Sequence, residues 1–235
     1  MLARWCVHVI LIGAMAGLVT SCAGDKKEPS TSLVLPNTSP ALQRIGERAE
    51  EIIAAAADDN WPRVFTYVRD IHDAWLDYKQ PTIVPLSTPR PPSTLLHGRL
   101  DAAMGRLRAA AAARKPKETM RAANDVDAAA LELFEYYNPT IPPDLHKLRA
   151  LQRRIALDAA DGKVNVASDT LRKVRSTWSR VRPIVEAKSG ATVTTAFEST
   201  LAAQQAAINK RNAAELGISA RDAMAMLDDM QQLSY

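Results

Sequence analysis

The chain has 235 residues, of which 47% are hydrophobic and 24% are charged, and its formal net charge of +4 is mild for this length. The length is enough for one large or two small domains, and such a charge does not by itself indicate a polyanionic partner. The two cysteines, Cys6 and Cys22, both lie in the first tenth of the chain. The remainder therefore lacks a disulfide framework, a cysteine metal site and a thiol nucleophile.

The N-terminal residues have the pattern of an export signal. One cation, at Arg4, precedes an apolar run over residues 5–20. This run is shorter than the roughly 20 residues that a membrane-spanning helix needs. Residues 1–21 are therefore predicted to be a signal peptide.

The segment Val19-Thr20-Ser21-Cys22 resembles the lipobox of bacterial lipoproteins. The resemblance implies that the Cys22 thiol carries a diacylglyceryl group, that the signal is cut before Cys22, and that the new amino group is acylated, with palmitate as the expected chain. Several acyl chains hold a protein firmly on a bilayer. Ala23 is similar to the residue that follows the cysteine in lipoproteins sent to the outer membrane. The implied location is that membrane, facing the periplasm, if the host is Gram-negative; the alternative is an ordinary signal peptide with an incidental cysteine.

Residues 22–39 follow as a polar stretch rich in Lys, Ser, Thr and Pro, which predicts a flexible, lipidated tether. Beyond the tether, alanine is abundant, while glycine and β-branched residues are sparse. This composition predicts an all-α fold.

A duplicated segment organises the rest of the chain. Residues 68–79 (VRDIHDAWLDYK) correspond to residues 171–182 (LRKVRSTWSRVR), and Trp75 aligns with Trp178 at a spacing of 103 residues (178 − 75 = 103). Apolar residues recur in both copies at intervals of three and four, which predicts an amphipathic helix in each.

Each copy is predicted to contain four helices with short connections, the pattern of an antiparallel four-helix bundle. The third helices align through Leu107 and Leu201, at a spacing of 94 residues (201 − 107 = 94). Prolines in residues 138–143 separate the copies. The predicted architecture is two tandem, internally duplicated bundles, at residues 40–137 and 143–235. Besides the tryptophan helices, the predicted helices are Ala41–Ala57, Thr94–Arg114, Lys117–Tyr137, Asp144–Ala160, Val193–Asn209 and Arg211–Leu233.

Two groups of side chains are candidates for a ligand or metal site. Trp75 and Trp178 could line a cavity, although their position on the apolar stripe favours a place in the core. His72 could act as a metal ligand or an acid–base group with three neighbouring aspartates. The second copy has Arg175 in place of this histidine, which favours a solvated acidic face instead. The three aspartates are Asp70, Asp73 and Asp77.

No catalytic residue, metal ligand or cofactor is predicted. The sequence contains no Glu-x-x-His pair of the kind that holds a di-iron centre, no Cys-x-x-Cys-His haem motif and no glycine-rich phosphate loop.

Charge divides the two copies. Residues 147–182 contain ten Lys or Arg against three Asp, whereas the corresponding helices of the first copy are acidic or mixed. On a membrane-tethered protein, a basic surface could contact anionic lipid head groups, an anionic cell-wall polymer or an acidic envelope protein. It could equally be a solvated surface without a dedicated partner, and nucleic acid is not expected. The candidate interaction surface consists of Arg153, Arg154, Arg172, Lys173, Arg175, Arg180 and Arg182.

The expected function is that of a non-enzymatic, membrane-anchored envelope lipoprotein, with the helical part as an interaction or structural module. The alternative is a small-ligand or metal-binding helical bundle in the periplasm. An enzyme that uses His72 is the third and least favoured hypothesis.

Overall fold

The computed structural model describes residues 39–79, 94–135 and 144–233, with side chains up to Gln231. All regular structure in these residues is helical, which confirms the predicted all-α fold. The predicted signal peptide, Cys22 and the proline-rich segments 80–93 and 138–143 lie outside the described residues. The helices are α1 (Pro40–Ala57), α2 (Trp61–Lys79), α3 (Thr94–Ala112), α4 (Pro116–Phe134), α5 (Asp144–Ala160), α6 (Val164–Ser189), α7 (Ala191–Asn209) and α8 (Ala213–Leu233).

The helices α1–α4 pack around one apolar cluster, in which α1 contacts α2 and α4, and α3 contacts α4. The helices α5–α8 pack around a second cluster, in which α5 contacts α6 and α8, and α7 contacts both of its neighbours in sequence. We call these two groups the first half and the second half. The halves meet where α4 packs against α5, and Ala150 of α5 belongs to the apolar cluster of the first half.

The tight turns that follow α1, α3, α5 and α7 share one geometry. In each turn the second residue has a positive φ, between 49° and 70°. Its N–H and the next N–H return to the carbonyls three and five residues earlier, as in Asp59 to Ala56 and Asn60 to Ala55. This is the Schellman motif, which satisfies the free carbonyls at the end of a helix. The positive-φ residues are Asp59, Arg114, Gly162 and Arg211.

The spacing of 94 residues predicted for the third helices differs by three from the spacing of the turns that follow α3 and α7. Arg114 and Arg211 occupy the same position of the same turn, which gives a spacing of 97 (211 − 114 = 97). The helices α3 and α7 have equal lengths of 19 residues and also begin 97 residues apart. A shift of three residues returns an apolar side chain to nearly the same helix face. Apolar periodicity alone therefore leaves this register open, and the turn fixes it.

Several helix ends differ from the predicted ones. α3 ends at Ala112, since Arg114 takes a left-handed φ of 49° that no helix continues through. α6 runs for 26 residues to Ser189 and carries Pro183 inside it. At the start of α2, Asn60 Oδ1 accepts the backbone N–H of Arg63 at 3.4 Å, which is the N-cap expected for a residue of this type.

Within the described residues, no helix is both long enough and apolar enough to cross a membrane.

Candidate functional site

The densest group of charged side chains lies where α4 packs against α5. We call it the polar seam. Arg153 of α5 is at its centre and is only 8% exposed. Its guanidinium lies 3.2 Å from Asp127 Oδ2 of α4 and 2.9 Å from Glu50 Oε1 of α1. The seam consists of the acids Glu50, Asp125, Asp127, Asp158 and Asp161 and the bases Arg121, Arg149, Arg153 and Arg154.

Burial makes the carboxyl group of Asp127 a weaker acid than usual. It raises the pKa of this carboxyl group from 3.8 to about 6, against the opposing attraction of Arg153. The nearby carboxylate of Glu50 raises the pKa further, while Arg149 lowers it. Asp127 is therefore an ionisable group whose charge depends on Arg153 opposite it.

The part of the polar seam near the turn between α5 and α6 also joins the halves. Arg121 of α4 donates to Asp158, to Asp161 at 2.8 Å, and to the carbonyl oxygen of Leu157 at 2.8 Å. Burial opposes the charge of Arg121, but these carboxylates outweigh it and raise the pKa of the guanidinium. Burial likewise opposes ionisation of Asp161, yet hydrogen bonds from Arg121 and two lysines hold its pKa below the usual value. Both chains of contacts therefore favour the charged forms.

The structure corrects the predicted interaction surface at two positions. Arg153 is buried in the polar seam, and Arg154 pairs with Asp125 at 3.0 Å and with Asp158 at 3.3 Å. The Arg153 guanidinium is therefore not part of an open basic face, and the partly exposed guanidinium of Arg154 is neutralised by its carboxylate partners. The physical reason is that acids from the first half, distant in sequence, neutralise the basic helix α5.

Three further members of that surface are exposed but paired. Arg172 contacts Asp169 at 2.8 Å, and Arg180 contacts Asp144 at 2.9 Å. Arg182 lies 3.2 Å from Glu198 of α7. These pairs reduce the positive potential that the sequence count indicates.

The other two members have no carboxylate partner in the part of the chain that the structure describes. Arg175 donates to the carbonyl oxygen of Leu201 at 3.2 Å, whereas Lys173 is exposed on the wall of a cleft.

Two of the three aspartates around His72 form ion pairs with arginines of α1. Asp70 pairs with Arg48 at 3.2 Å and Asp77 with Arg44 at 2.9 Å, so both acids bind α2 to α1. The Nδ1 atom of His72 is buried without a hydrogen-bond partner among the described residues. The same residues contain no group of three His, Cys, Asp or Glu side chains placed to hold a metal ion.

Each of the two tryptophans belongs to the core of its half. Trp75 is 1% exposed, and its indole N–H donates to Asp101 Oδ1 at 2.6 Å. Trp178 is 4% exposed, and its N–H donates to Glu198 Oε1 at 3.3 Å. A cation four residues after each tryptophan contacts the same carboxylate: Lys79 lies 3.6 Å from Asp101, as Arg182 lies 3.2 Å from Glu198. The indoles therefore fill the core, and each has an acceptor for its N–H.

A cleft of about 670 Å³ lies between α4, α5 and α6. Its lining combines small and aliphatic side chains with polar and charged ones. This volume falls in the range of ligand pockets in proteins. Its lining includes Ala128, Leu131, Ala150, Leu151, Val166 and Lys173.

Sequence reasoning missed the acidic half of the polar seam. The sequence does not indicate a role for Glu50, Asp125 and Asp127, because the charge of each segment does not show which distant helices pack together. A signal was present: a helix rich in arginine in one copy, and acids on the corresponding or adjacent helices of the other. Such opposite charges on two halves of one chain can pair with each other before they pair with a partner.

No protein-family model, curated protein or solved structure matches this chain.

Proposed function

We propose that this protein is a non-enzymatic lipoprotein of the cell envelope, in which the two helical halves form one interaction or structural module. The polar seam is the observation that carries the proposal. Its charged side chains pair between helices, as Arg153 does with Asp127 and Glu50, and so connect the halves. Such pairing suits a rigid scaffold, because a catalytic base or nucleophile has to remain available to a substrate.

We further propose that the second half is a diverged copy of the first. The four Schellman turns and the two pairs of indole and carboxylate support this proposal, since they recur at spacings of 103 and 97 residues. Asp101 and Glu198 are themselves 97 residues apart (198 − 101 = 97). The copies then differ mainly in charge, which allowed one to become the partner of the other.

The lipid anchor at Cys22 is the second part of the proposal, and the lipobox-like sequence before this residue supports it. The antiparallel order of the helices places the four tight turns at one end and Pro40 at the other.

Replacement of the anchor residue tests this part. The Cys22→Ser variant should be recovered unlipidated and largely in the soluble fraction, whereas Cys6→Ser serves as a matched control and should remain lipidated. Intact-mass analysis of both proteins gives the answer directly. A wild-type mature chain without acyl groups, or one that begins anywhere other than Cys22, would overturn the anchor.

The module itself is tested by crosslinking in intact envelopes, followed by purification and mass spectrometry. We expect a specific envelope protein or anionic polymer to be recovered with the wild type. Recovery of the same material with an unrelated lipoprotein would contradict the proposal.

A small-ligand function is the second candidate, and one observation favours it. In the core of the second half, Gln152 and Gln204 are fully buried, and Gln152 Nε2 and Gln204 Oε1 have no hydrogen-bond partner among the described residues. Native mass spectrometry and elemental analysis of protein purified without denaturation decide between the two. A co-purified small molecule or metal would promote this candidate over the first.

A further inference from the structure

The cleft between α4, α5 and α6 has the dimensions of a helix-binding groove. Its α6 wall extends from Val166 to Thr177, which corresponds to about 16 Å along the helix axis at about 1.5 Å per residue. Leu151 of α5 contributes aliphatic surface, whereas Leu131 of α4 also lines the cleft but is only 7% exposed. Val166 is 46% exposed although it is aliphatic. A partner that covers this valine would gain from its burial.

The groove is partly open to solvent, and this determines what can fill it. An open groove leaves one side of any occupant in water. An amphipathic helix satisfies this requirement, because its apolar stripe packs on the groove while its polar face stays hydrated. Ala128 and Ala150 are among the lining residues, and side chains this small allow a close approach of another helix. A purely apolar molecule would leave part of its surface exposed.

The charges of the lining are mostly occupied. Glu132 pairs with Arg99 at 2.8 Å, and Lys147 pairs with Glu135 at 2.7 Å. The remaining acids contact arginines: Asp125 binds Arg154, and Asp169 binds Arg172. Of the charged side chains that line the cleft, Lys173 alone has no ion pair in the described parts of the chain. The α6 wall therefore offers a cation to an incoming carboxylate.

The protein already contains one helix of this chemistry on the same surface. α4 is amphipathic and packs against α5, where Asp125 and Asp127 meet Arg154 and Arg153. The groove lies alongside this contact and uses the same α5.

We propose that the groove is a docking site for an amphipathic helix of a partner protein, with small and leucine side chains on its apolar stripe and a carboxylate that faces Lys173. The inference rests on the proposed function as an interaction module and names where the partner binds. The helix lies along α6 and covers Val166. It leaves the buried pair of Arg153 and Asp127 undisturbed, since neither residue lines the cleft.

The test uses the full mature chain in detergent and three fluorescent peptides of about 18 residues, long enough to exceed the groove. The first peptide carries an Ala/Leu stripe flanked by glutamates, and the second has lysines in place of the glutamates. The third has the composition of the first with the stripe scrambled. Fluorescence anisotropy gives the affinities, and a photoreactive group on the first peptide locates the site.

We expect the acidic peptide to bind saturably, and both the basic and the scrambled peptides to bind at least about tenfold more weakly. Lys173→Glu should weaken the acidic peptide about tenfold and strengthen the basic one. Ala128→Arg, at an exposed position, fills the groove without entering the core and should abolish binding. Arg175→Glu is the matched control, since this exposed cation on the same helix does not line the cleft, and it should leave the affinity unchanged.

Equal affinities for the acidic and basic peptides, insensitivity to Ala128→Arg, or crosslinks outside α4, α5 and α6 would each overturn the proposal. Two results together would also overturn it. In these, dodecanoate, a small amphiphile, displaces the acidic peptide, and the scrambled peptide binds as tightly as the acidic one. These outcomes leave the lipid anchor and the envelope crosslinking untouched. A failure of the docking site is thus distinguishable from a failure of the proposed function.

Discussion

Arg153 on α5 and Asp127 on α4 face each other at 3.2 Å, with about 10% of each side chain exposed. A charge at such a depth is costly unless an opposite charge compensates it. The two residues belong to different halves of the chain, so each compensates the other only when the halves are joined. The pair therefore favours the joined arrangement of the halves over the separated one.

Removal of one partner should be far more damaging than the net value of the pair. Arg153→Ala leaves Asp127 buried without its guanidinium, and we expect a loss of about 3–5 kcal/mol in the free energy of unfolding. Urea denaturation followed by circular dichroism measures it. Arg172→Ala is the control, since its pair is open to solvent and should change stability by about 0.5 kcal/mol or less. Equal effects of the two substitutions would show that the seam contributes no more than a surface pair.

The raised pKa of Asp127 predicts a pH dependence of stability with a definite sign. Its pKa is about 6 in the folded protein and near 3.8 when unfolded, so the folded state holds this proton more tightly between those values. The stability that this carboxyl group contributes is therefore complete below about pH 4 and is lost as the pH rises through about 6.

Asp127→Asn should remove this dependence, because the amide does not titrate. Asp127 contributes a negative slope of unfolding free energy against pH between 4 and 6, so we expect the slope to be more positive in the variant than in the wild type. Denaturant titrations at several pH values in this range provide the comparison. Parallel curves for the two proteins would mean that Asp127 ionises normally.

The tryptophan contacts predict that each half loses stability when the acceptor of its indole N–H is removed. Asp101→Ala and Glu198→Ala each leave a buried indole N–H without its acceptor, at a cost of about 1–3 kcal/mol. The loss should be larger for Asp101, because its hydrogen bond is 2.6 Å rather than 3.3 Å. Thermal unfolding followed by tryptophan fluorescence reports both. Asp73→Ala, at an exposed position of α2, should change little, and an equal loss there would contradict the assignment.

The buried glutamines predict that substitutions of the two residues have non-additive effects on the free energy of unfolding. Gln204 Nε2 donates to Gln152 Oε1 at 2.8 Å, and both side chains are fully buried. Gln204→Leu alone should cost about 1–3 kcal/mol, because it leaves the buried amide of Gln152 unpaired. Adding Gln152→Ala should recover most of that loss. Additive losses in the double variant would show that the two amides do not depend on each other.

Local patterns in the sequence predict much of this fold, because helix periodicity, caps and core positions depend on neighbouring residues. The limits Asp144–Ala160 of α5 agree with the prediction, and Trp75 and Trp178 are buried as their stripes indicate. The polar seam could not be derived in this way. Arg153 lies 103 positions from Glu50, and only the packing of α4 against α5 brings their charges together. The spacing of 97 residues between the starts of α3 and α7 could not be predicted for a related reason. A shift of three residues along a helix gives a similar apolar pattern.

Small-angle X-ray scattering of a charge-swap series tests most directly whether opposite charges join the halves. In the first variant Arg149, Arg153 and Arg154 are replaced by Glu, and in the second Glu50, Asp125 and Asp127 are also replaced by Lys. We predict that the first variant keeps its helical circular dichroism, because each half retains its own apolar cluster, while its radius of gyration increases. The second should return to the wild-type radius. A first variant as compact as the wild type, or a second that stays expanded, would contradict the account.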